Sequence, residues 1–470
     1  MGRIFSGRGP LPTTYLGYTP TIYAAPADVG NGSGSSEANA MDLATALTNA
    51  VAGDIVGLIP GVYSRQSPGG MGRFNVAWNP TNSGSSGNPI RFVAKYAAVA
   101  YQSNSSLWTE MQADLISGGY GSPAFGSQGR DYIEWLGVYA SDESGHSASA
   151  DDTSVCVLSS ADHCVVQYCL IRGDGAKWGA NNYHGVTCED CVNPTVSYND
   201  IRNYYTGSVG ATNANGCGVM LDHTAGGLVE HNTFTDCGAA VFHKRADASG
   251  GGSYNHGNWI VRFNRVIDCQ FGIRFDSNHS TGETTWTVNV YQNLITGTAL
   301  ALCIGNSSSD LVGKVRFQNN TIASATGSHD APLALLLHPS AGQGFGYWNN
   351  IFSVGEHGVY KEASGTAWDD TALDSQHNVW HSNSGAFWYQ DGPTYTYTNW
   401  TDNGMEGDSP ASITSDPLFT NAAGGIYTLQ AGSPARDLGV DLLDLQGGGT
   451  SASIHAGCYV TGLETIGTGY

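Results

Sequence analysis

The stretches "VSYNDIRN" (196–203), "VEHNTFTD" (229–236), "VRFNRVID" (261–268), "VYQNLITG" (290–297), "FQNNTIAS" (317–324) and "YWNNIFSV" (347–354) repeat one pattern: an alternating apolar strand, an asparagine, then a second short strand. The aligned asparagines are Asn199, Asn232, Asn264, Asn293, Asn320 and Asn350, with successive separations of 33, 32, 29, 27 and 30. An earlier copy, "VVQYCLIR" (165–172), puts Cys169 in the asparagine slot, one period before Asn199. Recurrence of this kind means stacked structural units.

Each unit carries a further strand, as in "AAVFHKR" (239–245), "FGIRFDS" (271–277) and "ALALCIG" (299–305), where Val241, Ile273 and Leu302 each lie nine residues after their asparagine. Two or three short strands per repeat, with no helical period between them, predict an all-β chain in which each repeat is one turn of a parallel β-helix. The coils are expected to stack about 4.8 Å apart, the ordinary strand spacing. The recurring asparagine then forms an internal ladder at a turn, each amide bonding the next coil. Cys237 and Cys269, each five residues after an asparagine, are expected to stack as reduced thiols.

The ends fit the same architecture. Residues 40–64, "AMDLATALTNAVAGDIVGLIPGVYS", read as a short amphipathic helix, a Gly-Asp turn and the first strand, with the helix capping the open end of the solenoid. After Lys361 the chain turns acidic, and "SDPLFTNAAGGIYTLQAGSPARDLG" (415–439) is expected to close the other end. The domain reading is an N-terminal extension over 1–20, a single β-helix domain with its cap over 21–405, and a closing segment over 406–470 packed on the solenoid.

The chain has 470 residues and a formal net charge of -21, so a soluble acidic protein with ample length for a core is expected. Such a field repels a polyanion unless positive charge is gathered in one place, so nucleic acid is not an expected partner. The 64 glycines suggest turns and not disorder, because the hydrophobic fraction is 40 % and the apolar runs are short and frequent. No run approaches the roughly 20 apolar residues of a membrane span, so no membrane partner is expected either. The first 20 residues lack the apolar core of a signal peptide, and the expectation is an extracellular monomer, secreted or carried on a virus particle. Among the ten cysteines, Cys188 and Cys191 make one C-x-x-C, but no second pair or His pair completes a zinc set.

Against this acidic background five bases, Lys244, Arg245, Arg262, Arg265 and Arg274, lie between residues 241 and 275 with only Asp247 and Asp268 to offset them. If Val241 and His243 point inward with Ile273 and Phe275 one coil on, strand alternation sends Phe242 and Lys244 outward beside Arg274 and Asp276. Aligning the preceding strand, "GVMLDHTAG" (218–226), places Asp222 outward nearby and leaves His223 at the strand end. His243 reads as an interior or rim residue.

A basic pair on the outer face suits β-elimination on a uronic-acid polysaccharide. Removing the proton beside a sugar carboxylate builds negative charge next to an existing anion, so a cation must neutralise the carboxylate while a base takes the proton. A lysine serves as base where neighbouring cations favour its neutral form, a part Arg245 and Arg274 can play for Lys244. His223 and Tyr254 are candidates to supply a proton or hold substrate. His184 in "NNYHGV" (181–186) sits before a strand and can line the same groove, and Tyr204, Tyr205 and Trp286 are candidate sugar-stacking aromatics.

The opening "TIYAAPADVGNGSG" (21–34) and "AGDIVGLIPGVYS" (52–64), the repeated asparagine turns, and the closing "DPLF" (416–419) and "GSPARDLG" (432–439) resemble proteins of the pectate-lyase-like superfamily. That resemblance covers nearly the whole chain and implies a right-handed, single-stranded parallel β-helix. It is specific for fold and less so for function, because the superfamily includes lyases, hydrolases, epimerases and phage tailspikes. The chain also resembles the chondroitinase B and alginate lyase family, with Lys244, Asn264, Gly272 and Arg274 at the positions of that family's lysine, asparagine turn, glycine and arginine. The resemblance implies Lys244 as base and Arg274 as acid. Two features differ: the loop between them is longer, and "DCGAAVF" (236–242) lacks the glutamates that hold a calcium ion in that family.

The expected function is therefore a lyase of an anionic polysaccharide, with Lys244 as base, Arg274 as acid or carboxylate neutraliser, and Arg245, His223, Tyr254, Asp222, Asp276 and His184 around the substrate. No metal ligands are assigned, and calcium lacks its usual acidic ligands. Two alternatives remain open: a glycoside hydrolase using Asp222 and Asp276, since hydrolysis needs two carboxylates across the bond, and a tailspike-like module that binds a glycan without cutting it.

Overall fold

The computed structural model describes residues 14–65, 75–100, 102–113, 123–141, 152–173, 182–204, 216–245, 259–275, 286–298, 300–304, 313–323, 333–337, 345–354, 359–361, 373–382, 388–390, 394–398, 412–440, 455–459 and 466–467. They group into two compact units, Met1–Val241 with Thr468–Tyr470, and Phe242–Gly467. Both are built from parallel strands in three sheets, and the chain is a right-handed parallel β-helix.

In the first unit one sheet stacks Ile22–Ala25, Ile55–Leu58, Ile90–Ala94, Ile133–Leu136, Val165–Gln167, Thr195–Ser197 and Gly227–Glu230. A second stacks Gly61–Arg65, Thr109–Ala113, Tyr139–Ser141, Leu170–Arg172, Asp200–Arg202 and Thr233–Thr235. The third stacks Phe125–Gln128, Asp152–Ser159, Asn182–Glu189 and Cys217–Asp222. In-register residues fill the interior in columns. Phe92 and Trp135 stack at 4.5 Å, and Val166, Val196 and Val229 continue their column, all 1 % exposed or less.

The second unit repeats the plan. Trp259–Arg262, Trp286–Tyr291, Gly313–Gln318, Phe345–Trp348 and Leu373–Gln376 form one sheet. Arg265–Ile267, Leu294–Thr296, Thr321–Ala323, Ile351–Val354 and Val379–Ser382 form the next. Phe271–Phe275 begins a third, followed by Leu300–Ile304, Leu333–Leu337, Val359–Lys361 and Trp388–Gln390. The boundary between the units falls inside the strand Ala239–Arg245.

The cap holds a helix, Leu43–Asn49, with Leu43, Ala46 and Leu47 buried and Asp42 accepting the Thr45 N–H at 3.0 Å as N-cap. It is not followed by the first strand, as the sequence suggested. Ile22–Ala25 comes earlier and pairs with both Met41–Asp42 and Ile55–Leu58. Thr21 before it and Pro26 after it limit its apolar run to four residues, too few for a period to show. No described helix is long and apolar enough to cross a membrane.

The asparagines form the ladder. In the first unit Asn199 Oδ1 accepts the Cys169 N–H at 2.9 Å, and Asn232 Oδ1 accepts the Asn199 N–H at 3.0 Å. In the second unit the same bond joins Asn264 to Asn293, Asn293 to Asn320, Asn320 to Asn350 and Asn350 to Asn378 at 2.9 to 3.0 Å. The amide nitrogens of Asn199, Asn232, Asn293, Asn320, Asn350 and Asn378 each return a bond to the preceding coil, as Asn293 Nδ2 does to Val261 O at 2.9 Å. Asn378 is a further rung, and Ser412 Oγ ends the ladder by accepting its N–H at 3.0 Å. The residue before each rung is left-handed, from Tyr168, Tyr198 and His231 to Phe263, Gln292, Asn319, Asn349 and His377, with φ between 51° and 58°.

The closing segment lies along the flank of the second unit. Asn349 exchanges hydrogen bonds with Val440, donating to its carbonyl at 2.8 Å and accepting from its N–H at 3.0 Å. The Cys458 N–H donates to Thr321 Oγ1 at 2.9 Å, and the Gly457 N–H to Asn349 O at 2.7 Å.

Among the described residues nine cysteines, Cys237 and Cys269 among them, are buried. Burial pushes the thiols of Cys164 and Cys169 up to about 12. A folded-state pKa raised above the unfolded value of about 8.5 gives stability that is present below that value and lost as pH rises toward about 12. Stability measured by urea unfolding should therefore fall progressively above about pH 8.5, with thiol ionisation coinciding with unfolding. Ionisation of most thiols in a still-folded protein would contradict this. Asn293→Ala removes the acceptor for the Asn264 N–H and the Nδ2 bonds to Val261, Tyr291 and Asn320, and should cost about 2–4 kcal/mol of unfolding free energy; a cost below about 0.5 kcal/mol would show that the ladder does not hold the turn.

Candidate functional site

The basic pair lies in the second unit. The Arg274 guanidinium sits over the Phe242 ring at 4.5 Å and near the Phe271 ring at 5.3 Å, while His243 packs on Phe275 with ring centroids 6.0 Å apart. Position 242 is therefore beside 274 and 243 beside 275, and alternation puts Lys244 on the same face as Phe242 and Arg274. Gly272 is required by close approach: a Cβ there would strike the Ala301 carbonyl and lie 3.1 Å from Ile295.

The face is not the open, solvated one expected from the sequence. Arg274 is only 2 % exposed, whereas Lys244 at the strand end is partly exposed. Burial between two rings is open to guanidinium because it is planar and weakly hydrated, and an ammonium has neither property. His243 is buried at 5 %, in keeping with an interior or rim residue. Tyr254 and Asp276 lie outside the described residues, as do Tyr205 and the side chains of Arg245 and Trp286.

The remaining candidates belong to the first unit. Asp222 closes the strand Cys217–Asp222 and is 0 % exposed, not solvent-facing. His223 follows it with φ 49°, its Nδ1 3.5 Å from Asp222 Oδ1 and 3.9 Å from Asp190 Oδ1. His184 does not precede a strand: it lies inside Asn182–Glu189, in register with Ser154, at 3 % exposure. Its Nδ1 is 3.1 Å from Thr187 Oγ1 and 3.4 Å from Ser154 Oγ, and those two hydroxyls are 2.7 Å apart. Tyr204 is not a sugar platform, being 0 % exposed and packed on Tyr183 at 4.9 Å.

Glu189 was not found by sequence reasoning, although a signal exists. Its step to Asp222 equals that from Asn199 to Asn232, and the two carboxylates are strand partners. Likewise the step from Ser154 to His184 equals that from Cys169 to Asn199.

The calcium ion implied by the family resemblance does not fit the residues before Lys244. Cys237, Ala239, Ala240, Val241 and Phe242 are buried at 2 % exposure or less and offer no carboxylate.

Residues 138–327 match the model of a right-handed β-helix region. A crystal structure of a pectate lyase superposes with a TM-score of 0.54 at 14 % identity, covering 95 % of this chain and 98 % of that one. A family 6 polysaccharide lyase from Pseudopedobacter saltans gives 0.42 at 13 % identity, covering 81 % and 92 %. A rhamnogalacturonan lyase gives 0.41 at 12 % identity, covering 86 % and 91 %. No curated protein matches the chain in sequence. At such identity the likeness to the pectate lyase is one of fold.

The two rings around Arg274 make a testable demand. Phe271→Ala should cost about 3–5 kcal/mol, the usual range for a buried phenylalanine, in a denaturant titration. A loss below about 1 kcal/mol would show that the ring does not pack as described.

Proposed function

We propose that the chain is a polysaccharide lyase that cleaves an acidic, uronic-acid-containing polysaccharide outside the cell by β-elimination, with Lys244 as base. The observation that carries this reading is the Arg274 guanidinium held over aromatic rings on the face that Lys244 shares. A guanidinium does not readily give up its proton, so of its two candidate roles the carboxylate neutraliser is the better supported. Held in a dry setting, it strengthens its attraction for a sugar carboxylate and needs little reorganisation as charge develops there.

The chemistry then balances. The Lys244 amine takes the proton from the carbon next to the carboxylate. The electron pair left behind forms a carbon–carbon double bond as the neighbouring bond to the glycosidic oxygen breaks; that oxygen takes a proton from water, and the Lys244 ammonium returns its proton to the hydroxide so formed. The products are one unsaturated uronate end and one new sugar hydroxyl. The pectate lyase fold supports the reading as analogy, since this fold hosts several chemistries.

The test is ultraviolet absorbance of the unsaturated product on a panel of alginate, pectate, chondroitin, hyaluronan, heparin-like and ulvan-like polymers. One polymer should give a rising signal, and Lys244→Ala and Arg274→Lys should each cut kcat by about a hundredfold or more with the fold retained by circular dichroism. Reducing ends released without absorbance would move the assignment to a hydrolase. Neither signal on any polymer would leave a binding module. Because a local positive patch docks a polyanion, KM should also rise with added salt; salt-independent KM would argue against an anionic substrate.

A further inference from the structure

Glu189 and Asp222 stand directly opposite one another at the ends of neighbouring strands in the first unit, at 7 % and 0 % exposure. Immediately after Asp222 the chain turns through His223, whose Nδ1 lies 3.5 Å from Asp222 Oδ1 and 3.9 Å from Asp190 Oδ1. One donor atom from each of Glu189, Asp222 and His223 lies within 4.8 Å of the other two, the one such group among the described residues.

We propose that Glu189, Asp222 and His223 bind one divalent transition-metal ion, with zinc the best match among the common ions. Two carboxylates and an imidazole are a three-ligand set of the kind that leaves one zinc position open. Ligands about 2.0–2.2 Å from a tetrahedral ion lie about 3.4 Å from one another, close to the 3.5 Å between His223 and Asp222. A bound dication offsets the paired carboxylates and takes the imidazole as its neutral ligand. Calcium is the poorer match because it takes six to eight oxygens, whereas imidazole suits zinc. Asp190, 40 % exposed, stands at the rim as a fourth donor. These residues are not those the family resemblance assigns to calcium, and the donor set differs in containing nitrogen.

The site is tested without polysaccharide, so its outcome is separate from that of the lyase assay. The full chain, stripped with a chelator and dialysed, is titrated calorimetrically with zinc chloride and in parallel with calcium chloride. Wild type should take up about one zinc per chain, at least about tenfold more tightly than calcium, and its melting temperature should rise with zinc. His223→Gln keeps a polar side chain at the turn and should weaken zinc binding by about tenfold or more while the metal-free protein melts near the wild-type temperature. Glu189→Gln, which removes a charge from the crowded pair, should also lose zinc without destabilising the metal-free fold. Absence of zinc binding, equal binding in His223→Gln, or calcium binding as tight as zinc would overturn the proposal.

Discussion

At each turn of the solenoid a backbone N–H is carried into the interior where strand pairing does not reach it, and the amide of the next coil's asparagine accepts it. Burying that N–H unpaired would cost about 1–3 kcal/mol at every coil. The asparagine is suited because one side chain offers both an acceptor and two donors, so Asn293 receives from Asn264 and gives to Val261 and Asn320. Cys169, in the same slot, is a weaker acceptor, and its Sγ contacts the carbonyls of Trp135 and Gln167. The left-handed residue before each rung carries a steric cost of about 1–2 kcal/mol for a non-glycine. The rungs offset it, which explains why tyrosine, phenylalanine and histidine occupy corners that would elsewhere go to glycine.

Uniform stacking also positions the chemistry. With coils in register, a side chain chosen on one strand has a defined neighbour on the next, so Phe242 meets Arg274 and Glu189 meets Asp222 although a whole coil of chain separates each pair. The groups are thus set by rigid strands, and linking segments of varying length leave their spacing untouched. A buried guanidinium between rings and a buried pair of acids are both unfavourable in isolation. Each persists because the columns on either side fix the backbone.

Fold class was legible in the sequence because the asparagine period survives insertions and the strands alternate cleanly. The ladder's last rung, Asn378, was harder to see because the residue three before it, apolar in every other copy, is Ser375. Lys244 and Arg274 were found through local charge, a signal that depends only on composition, and their common face followed from alternation. Exposure was not legible. Whether the outer side of a strand meets water depends on what covers it, and no periodicity encodes that, so Arg274, Asp222 and Tyr204 were all read as more open than they are. Glu189 escaped because an acid in an acidic chain carries no contrast, and only the step to Asp222 that it shares with the asparagine ladder marks it.

The flank contacts of the closing segment bear on how the chain acquires its structure. Rungs of the ladder join residues 27 to 33 apart, whereas the bonds from Asn349 to Val440 and from Cys458 to Thr321 join residues 91 and 137 apart. Closing the longer loops costs more chain entropy and brings no reward until the corner column they bind has formed. Coils therefore assemble on their neighbours first, and the segment beyond Ser412 docks onto a surface already in place. Until it docks, the corner side chains of Asn319, Asn349 and His377 stand as an unprotected seam along the stack, which the closing segment seals through His455, Val440 and Leu438.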